Sequence, residues 1–549
     1  MKKADIKKEK IRLKSLFGVN KELDKNPNIE KSITLFNGTF VPKVKGNISI
    51  FRGIPFALPP IKENRWKKPL SVEASNKIFE AYYNGYSPIQ TVIDSERASF
   101  YPQSEDCLYL NMWINNDSQV KNKPIMVFIH GGSYGWGGTV DPLYDGYNFV
   151  ELHPDVILIT IGYRVGLFGF IDLSSIEGGE KYPDAPNLGI LDQIEALRFI
   201  KQNGAAFGGD INNITIFGES AGGSSVSLLP IIKEAKGLFH KVIAESGSVA
   251  FTYTKEDYQL LTKELVRLTN VHNMDELINL PISKLIEANE VLNNINNFPM
   301  RDGKLIPLNP YEAYKDVKDI IMLQGTNKNE MNYWIGELGG LFAYSYGMPI
   351  KLKHDLKTLK EEDKERAKSF LTNYKGNEID RISEFYNEIM FRLPAIKQAE
   401  IVSNNIRNYM YYWKVNSKVP YFKACHAVEL AYVFNNVNET IYTGKKVDEE
   451  LAKKISSMWV NFAKTGNPSL DDLSWDEYNV DARATLIIDE KEIKMENDPL
   501  QNQRELLDPI VSYIINPGYG HLNLSLPYLE AMRSVLRAFH NSLALRFKK

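Results

Sequence analysis

The stretch Phe217-Gly218-Glu219-Ser220-Ala221-Gly222-Gly223 constrains the fold more than any other part of the chain. A short apolar run, Ile214-Thr215-Ile216-Phe217, precedes it and reads as a buried strand. A small-residue segment, Ser224 to Leu229, follows and reads as a helix packed close behind. Strand, tight turn and helix are the setting in which G-x-S-x-G holds a serine in a strained conformation and lifts its Oγ above a sheet. Gly218 and Gly222 leave room where a Cβ would meet neighbouring backbone.

Other runs extend the same architecture. Residues 33–60 alternate apolar and polar with Gly and Pro punctuation, as antiparallel hairpin strands do. Leu108 to Trp113 alternates again. Pro124 to Ile129 and Val156 to Ile161 are continuously apolar, which suits central strands buried on both faces. Leu191 to Ile200 has helical spacing, and Val242 to Ser246 and Ile320 to Gln324 read as later strands. The alternation predicts an α/β fold with a mostly parallel sheet and antiparallel strands at its N-terminal edge. Residues 253–300 and 355–415 read as charged, helical insertions over the C-terminal ends of the strands.

A chain of 549 residues could hold several domains, but no linker, repeat or low-complexity run breaks it between about 33 and 500. One large domain over 33–500 is expected, with a charged N-terminal extension at 1–32 and a C-terminal extension at 501–549. In that tail Leu529, Met532, Leu536, Phe539, Leu543 and Phe547 fall on one helix face, a candidate homodimer or membrane-surface contact. The net charge of −2 gives no bulk attraction for nucleic acid. No window is apolar enough for a membrane span, and no apolar run follows the basic start, so integral membrane association and a secretory signal are not expected. Two cysteines, Cys107 and Cys425, make no disulfide framework, and a cytoplasmic protein with reduced thiols is expected.

A serine hydroxyl needs a base, a group that orients the base, and N–H donors for the developing oxyanion. Four histidines follow Ser220 at a useful distance: His272, His354, His426 and His521. His426 stands in a small-residue loop, Lys423-Ala424-Cys425-His426-Ala427, which favours it as the base. Acids are too numerous to choose by composition. Glu330 is the candidate because it ends a polar loop directly after the run 320–324. The glycine-rich segment Phe128-Ile129-His130-Gly131-Gly132-Ser133-Tyr134 follows a central strand. It can turn the N–H groups of Gly132 and Ser133, joined by Ala221, toward one point, with His130 as a loop support. Tyr134 and Trp136 are expected to shape the pocket.

With these residues in view, the chain resembles the type-B carboxylesterase family, which includes cholinesterases and bacterial para-nitrobenzyl esterases. The resemblance runs through Phe51 to Ala57, Ser104 to Asn111, the His130 loop, Tyr163 to Gly166 and Asn187 to Gln193. It continues through Ala206 to Asp210, the Ser220 turn, Asp302-Gly303, the Glu330 and His426 loops, and Phe462 to Pro468. It implies the α/β-hydrolase fold and a Ser-Glu-His triad of Ser220, Glu330 and His426, with Ser246 supporting the acid loop. It implies cleavage of a small-molecule carboxylic ester through an acyl-enzyme, with no cofactor and no metal. The family cysteine that pairs with the one matching Cys107 is replaced here by Ser87-Pro88-Ile89-Gln90, so that bridge is not expected. Ser133 stands where glycine or alanine is common. A non-catalytic binding protein on the same fold is the competing class, disfavoured because all three triad residues are present. An amidase or lactone hydrolase using the same site stays open.

Overall fold

The computed structural model describes residues 3–26, 30–292, 297–337 and 359–515, with short pieces between 348 and 357. Its strands are β1 (Glu22–Leu23), β2 (Ile33–Leu35), β3 (Gly38–Lys45), β4 (Ile48–Pro55), β5 (Ile78–Ala81), β6 (Tyr109–Asn115) and β7 (Lys123–Ile129). They continue as β8 (Ile157–Ile161), β9 (Gly209–Glu219), β10 (Lys241–Glu245), β11 (Ile321–Asn327), β12 (Asn408–Trp413), β13 (Ala484–Ile488) and β14 (Ile493–Asn497). The order across the sheet is β1-β5-β3-β4-β6-β8-β7-β9-β10-β11-β12-β13-β14, with β2 paired to β3. From β8 to β13 every pairing is parallel. The pairs β3–β4, β4–β6 and β6–β8 are antiparallel, as the alternating N-terminal sequence predicts.

Alternate residues of the central strands enter two separate cores, because successive strand side chains point to opposite faces. On one face Ile125, Val127 and Ile129 of β7 pack with Ile190, Ile194 and Leu197 of the helix Leu188–Asn203. On the other, Met126 and Phe128 pack with Met458, Trp459 and Phe462 of the helix Glu449–Thr465. Both faces are covered, which is why these strands read as unbroken apolar runs.

The reading of 355–415 as helical holds for Glu361–Asn373, Glu378–Tyr386 and Leu393–Val402, but it fails at β12. Asn408-Tyr409-Met410-Tyr411-Tyr412-Trp413 is wholly buried between β11 and β13. Its aromatic side chains fill a two-sided interior that aliphatic residues fill elsewhere. The C-terminal edge is also antiparallel, through the β13–β14 hairpin.

Both ends of the described chain are anchored. In the N-terminal helix Lys3–Ser15, Leu13 is buried against Ala98, Tyr101 and Val140, and Arg12 reaches Glu439 at 2.6 Å. In the helix Gln501–Ile515, Leu507, Ile510 and Val511 are buried in the main core. The amphipathic segment 529–547, with the contact expected of it, lies outside the described residues. Among the described residues no helix is long and apolar enough to cross a membrane. Cys107 and Cys425 are both free and buried.

Candidate active site

Ser220 sits between the end of β9 and the helix Ala221–Leu228, with φ 59° and ψ −120°. This is a sparsely populated conformation for a residue with a side chain, and it persists only when its surroundings hold it. They do so by contact and by hydrogen bonding. A Cβ on Gly222 would lie 1.9 Å from the Ile129 carbonyl oxygen, so the helix start can approach β7 only as glycine. The Ser220 N–H donates to the Glu245 carbonyl on β10 at 2.8 Å.

The glycine-rich loop after β7 lies directly alongside. A Cβ on Gly131 would stand 3.1 Å from the Ser220 Cβ. The next three residues, Gly132, Ser133 and Tyr134, have φ of 104°, 51° and 57°. Successive positive φ values are what curl a backbone so that its amides converge. Tyr134 is fully buried and its hydroxyl meets the Ser225 hydroxyl at 3.2 Å, so it braces the loop from below and does not line open space. The loop is held at a second point where the Gly166 N–H donates to the Tyr134 carbonyl. Behind Gly166, Arg164 binds Asp192 through Nε and Nη2 at 2.8 and 2.6 Å, with both side chains buried.

His130 is buried, stacks on Tyr163 at 4.3 Å and places Nδ1 2.8 Å from the Gly131 carbonyl. Since a carbonyl only accepts, Nδ1 carries the proton. Burial pushes this imidazole down to about 4, so it is neutral through the physiological range and supports the loop, as expected.

Glu330 follows β11 and is completely buried. Its Oε2 lies 2.6 Å from His426 Nδ1. Its Oε1 accepts from the Ser246 hydroxyl and from the Asn327 N–H, each at 2.6 Å. Ser246 thus stands where the resemblance placed it, beneath the acid. The His426 ring is lined by Trp334, Phe391 and Tyr333, with centroid distances of 5.1, 5.2 and 6.4 Å. Its Nε2 is 3.0 Å from Glu219 Oε1, but neither atom has an aligned hydrogen-bond partner among the described residues. His272 lies far from these groups in character, exposed beside Glu276. His354 and His521 fall outside the described residues.

Three further carboxyls, Glu219, Glu245 and Glu429, are buried around Glu330. Burial first, then the charges of Glu429, Glu330, Glu245 and Glu96, holds Glu219 well above the usual carboxylate range. Burial and Glu429 do the same for Glu245. Glu429 is pushed up to about 8, by burial and then by Glu330. Burial and the neighbouring carboxylates thus favour the protonated form of Glu219 beside His426. The sequence analysis assigns no role to Glu219 or Glu429. Their signal was position: one directly precedes Ser220, the other follows His426 by one helical turn.

This cluster has a measurable consequence. The folded protein keeps a proton on Glu429 up to about pH 8, whereas an unfolded glutamate releases it near 4.3. Stability accordingly falls as pH rises between those values. Glu429→Gln removes that ionisation. It should raise the melting temperature at pH 8 by on the order of a few °C and change it much less at pH 5, as scanning calorimetry would read.

The chain as a whole is similar to known proteins. A model of the carboxylesterase family matches residues 26–507. This chain belongs to the carboxylesterase family. It is 35% identical over 502 residues to the para-nitrobenzyl esterase of Bacillus subtilis, covering 85% of this chain and 97% of that one. It is 30% identical over 479 residues to a human cocaine esterase, covering 78% and 81%. Among solved structures it matches a thermophilic PNB esterase with a TM-score of 0.77 at 31% identity, over 87% of this chain and 99% of the other. A Geobacillus stearothermophilus carboxylesterase at pH 6.2 matches with a TM-score of 0.75 at 28% identity, over 87% and 100%. The carboxylesterase described here therefore has the α/β-hydrolase fold and is a serine hydrolase of carboxylic esters.

Proposed function

We propose that the reaction runs on Ser220, His426 and Glu330, with Gly132, Ser133 and Ala221 as oxyanion donors, in a catalytic domain spanning residues 33–500. The observation that carries this reading is the buried 2.6 Å pair of Glu330 and His426, with His426 Nε2 3.0 Å from Glu219, the residue directly before the strained Ser220. With Nδ1 held by Glu330, Nε2 is the nitrogen left to take the Ser220 proton. Ser220 Oγ then attacks the ester carbonyl, and the negative oxygen develops beside the Gly131–Ser133 turn and the first amide of the Ala221–Leu228 helix. Collapse of the tetrahedral adduct expels the alcohol, protonated by His426. Water repeats the sequence on the acyl-enzyme and releases the acid. No metal or cofactor has a step in this scheme.

Trp334, Phe391 and Tyr333 give the approach to His426 an aromatic wall, which favours an ester with an apolar acyl or alcohol group. Incubation with a slowly hydrolysed p-nitrophenyl ester, followed by acid quench and peptide mass spectrometry, should find one acyl mass increment on the peptide containing Ser220. An increment confined to any other residue would overturn the assignment.

A further inference from the structure

The helix that walls the site on the Phe391 side is not regular. Between Glu378–Tyr386 and Leu393–Val402 it passes through a six-residue π-helical segment, Asn387–Arg392. Such segments insert a residue into a helix at some cost and recur at functional sites. Here the segment sends two side chains to the acid–base pair. Phe391 packs on the His426 ring at 5.2 Å. One turn earlier, Asn387 is buried to 3% exposure and reaches the Glu330 loop.

We propose that Asn387 is a positioning residue for Glu330, an inference that rests on the triad reading above. Its Oδ1 accepts the Met331 N–H at 2.8 Å, and its Nδ2 donates to the Lys328 carbonyl at 3.2 Å. One amide thus brackets Glu330 from both sides along the chain. Nδ2 also donates to Glu384 Oε2 at 3.1 Å, which fixes which end of the amide faces which peptide group. Glu384 is itself pushed up to about 7, by burial and then by Glu388.

The rest of the loop is tied elsewhere. The Lys328 N–H donates to the Trp413 carbonyl at the end of β12, and the Asn329 N–H to the Ala424 carbonyl in the histidine loop. Those bonds set the loop between its neighbours, and Asn387 secures the Lys328 carbonyl and the Met331 N–H. Without Asn387 the buried Met331 N–H and the part-buried Lys328 C=O would lose their partner. The loop would recover them by moving, and Glu330 would move with it.

The test compares wild type, Asn387→Leu, Asn387→Asp and Ser220→Ala on p-nitrophenyl acetate from pH 5 to 9, with active sites counted by burst titration. A displacement near 1 Å at a catalytic group can cost on the order of 10²-fold. Asn387→Leu should therefore lower kcat per titrated site by that order while KM stays within about twofold. Asn387→Asp keeps the acceptor for Met331 and loses both donor contacts, so its kcat should fall between wild type and Leu. Two outcomes overturn the proposal: kcat per site within twofold of wild type in both variants, or a loss that appears in KM or in the number of titratable sites with kcat per site unchanged. Ser220→Ala tests the underlying triad separately, since its activity does not depend on where Glu330 stands.

Discussion

Ser220→Ala is expected to lower kcat for a short p-nitrophenyl ester by on the order of 10⁶-fold, as removal of a triad nucleophile does elsewhere. The loss should be almost purely chemical. The Ser220 backbone, at φ 59°, is held by its own N–H bond to Glu245 and by glycine-only contacts at Gly222, none of which uses the hydroxyl. Alanine carries the same Cβ and meets the same backbone strain, so fold and melting temperature should change little. What remains would come from binding and from the oxyanion donors, which retain roughly 10³–10⁴-fold over water in comparable enzymes. Steady-state kinetics on the purified variant, with circular dichroism to confirm folding, would decide the matter. Activity within tenfold of wild type would remove Ser220 from the mechanism.

The elements around that serine were legible for a physical reason. β7 to β10 are covered on both faces, so each appears in the sequence as an apolar run, and the turn at Ser220 can be built only with glycines at its contact points. β12 was not legible. Its four aromatic residues and Asn408 are buried by tertiary packing, but they follow a charged helical stretch and carry no aliphatic signature. β14 is half-buried at an edge, and Ile493-Lys494-Met495-Glu496-Asn497 carries too few apolar residues to separate from a loop. The same limit applies inside the site. Ser220, Glu330 and His426 sit in loops whose wording announces chemistry, whereas the raised proton affinity of Glu219 and Glu429 depends on burial contributed by distant strands. The bracket formed by Asn387 depends on a π-helical shift in register that no periodicity in the sequence reports.

Glu330→Gln should also be strongly damaging, although it exchanges only an oxygen for an NH₂ group. In the wild-type protein Glu330 Oε1 receives the Asn327 N–H and the Ser246 hydroxyl, and Oε2 faces His426 Nδ1. The Asn327 donor is backbone and cannot reverse its role. A glutamine at 330 must therefore turn its carbonyl oxygen toward Asn327 and its NH₂ toward His426. That NH₂ can only donate, so His426 must offer a lone pair at Nδ1 and carry its proton on Nε2. The nitrogen meant to accept the serine proton is then already occupied, and the ion pair that would stabilise the imidazolium is gone. The analogous change in a serine protease triad lowers kcat by about 10⁴-fold through the wrong tautomer. A loss of that order is expected here, with KM changed little and Ser220 acylation slowed in single-turnover measurements. Glu330→Asp separates charge from reach: it keeps the carboxylate and so the tautomer, but shortens the arm. It should retain more activity than Gln at every pH. If Gln and Asp fell equally, orientation alone would explain the role of Glu330; if Gln retained activity within tenfold of wild type, the tautomer argument would fail.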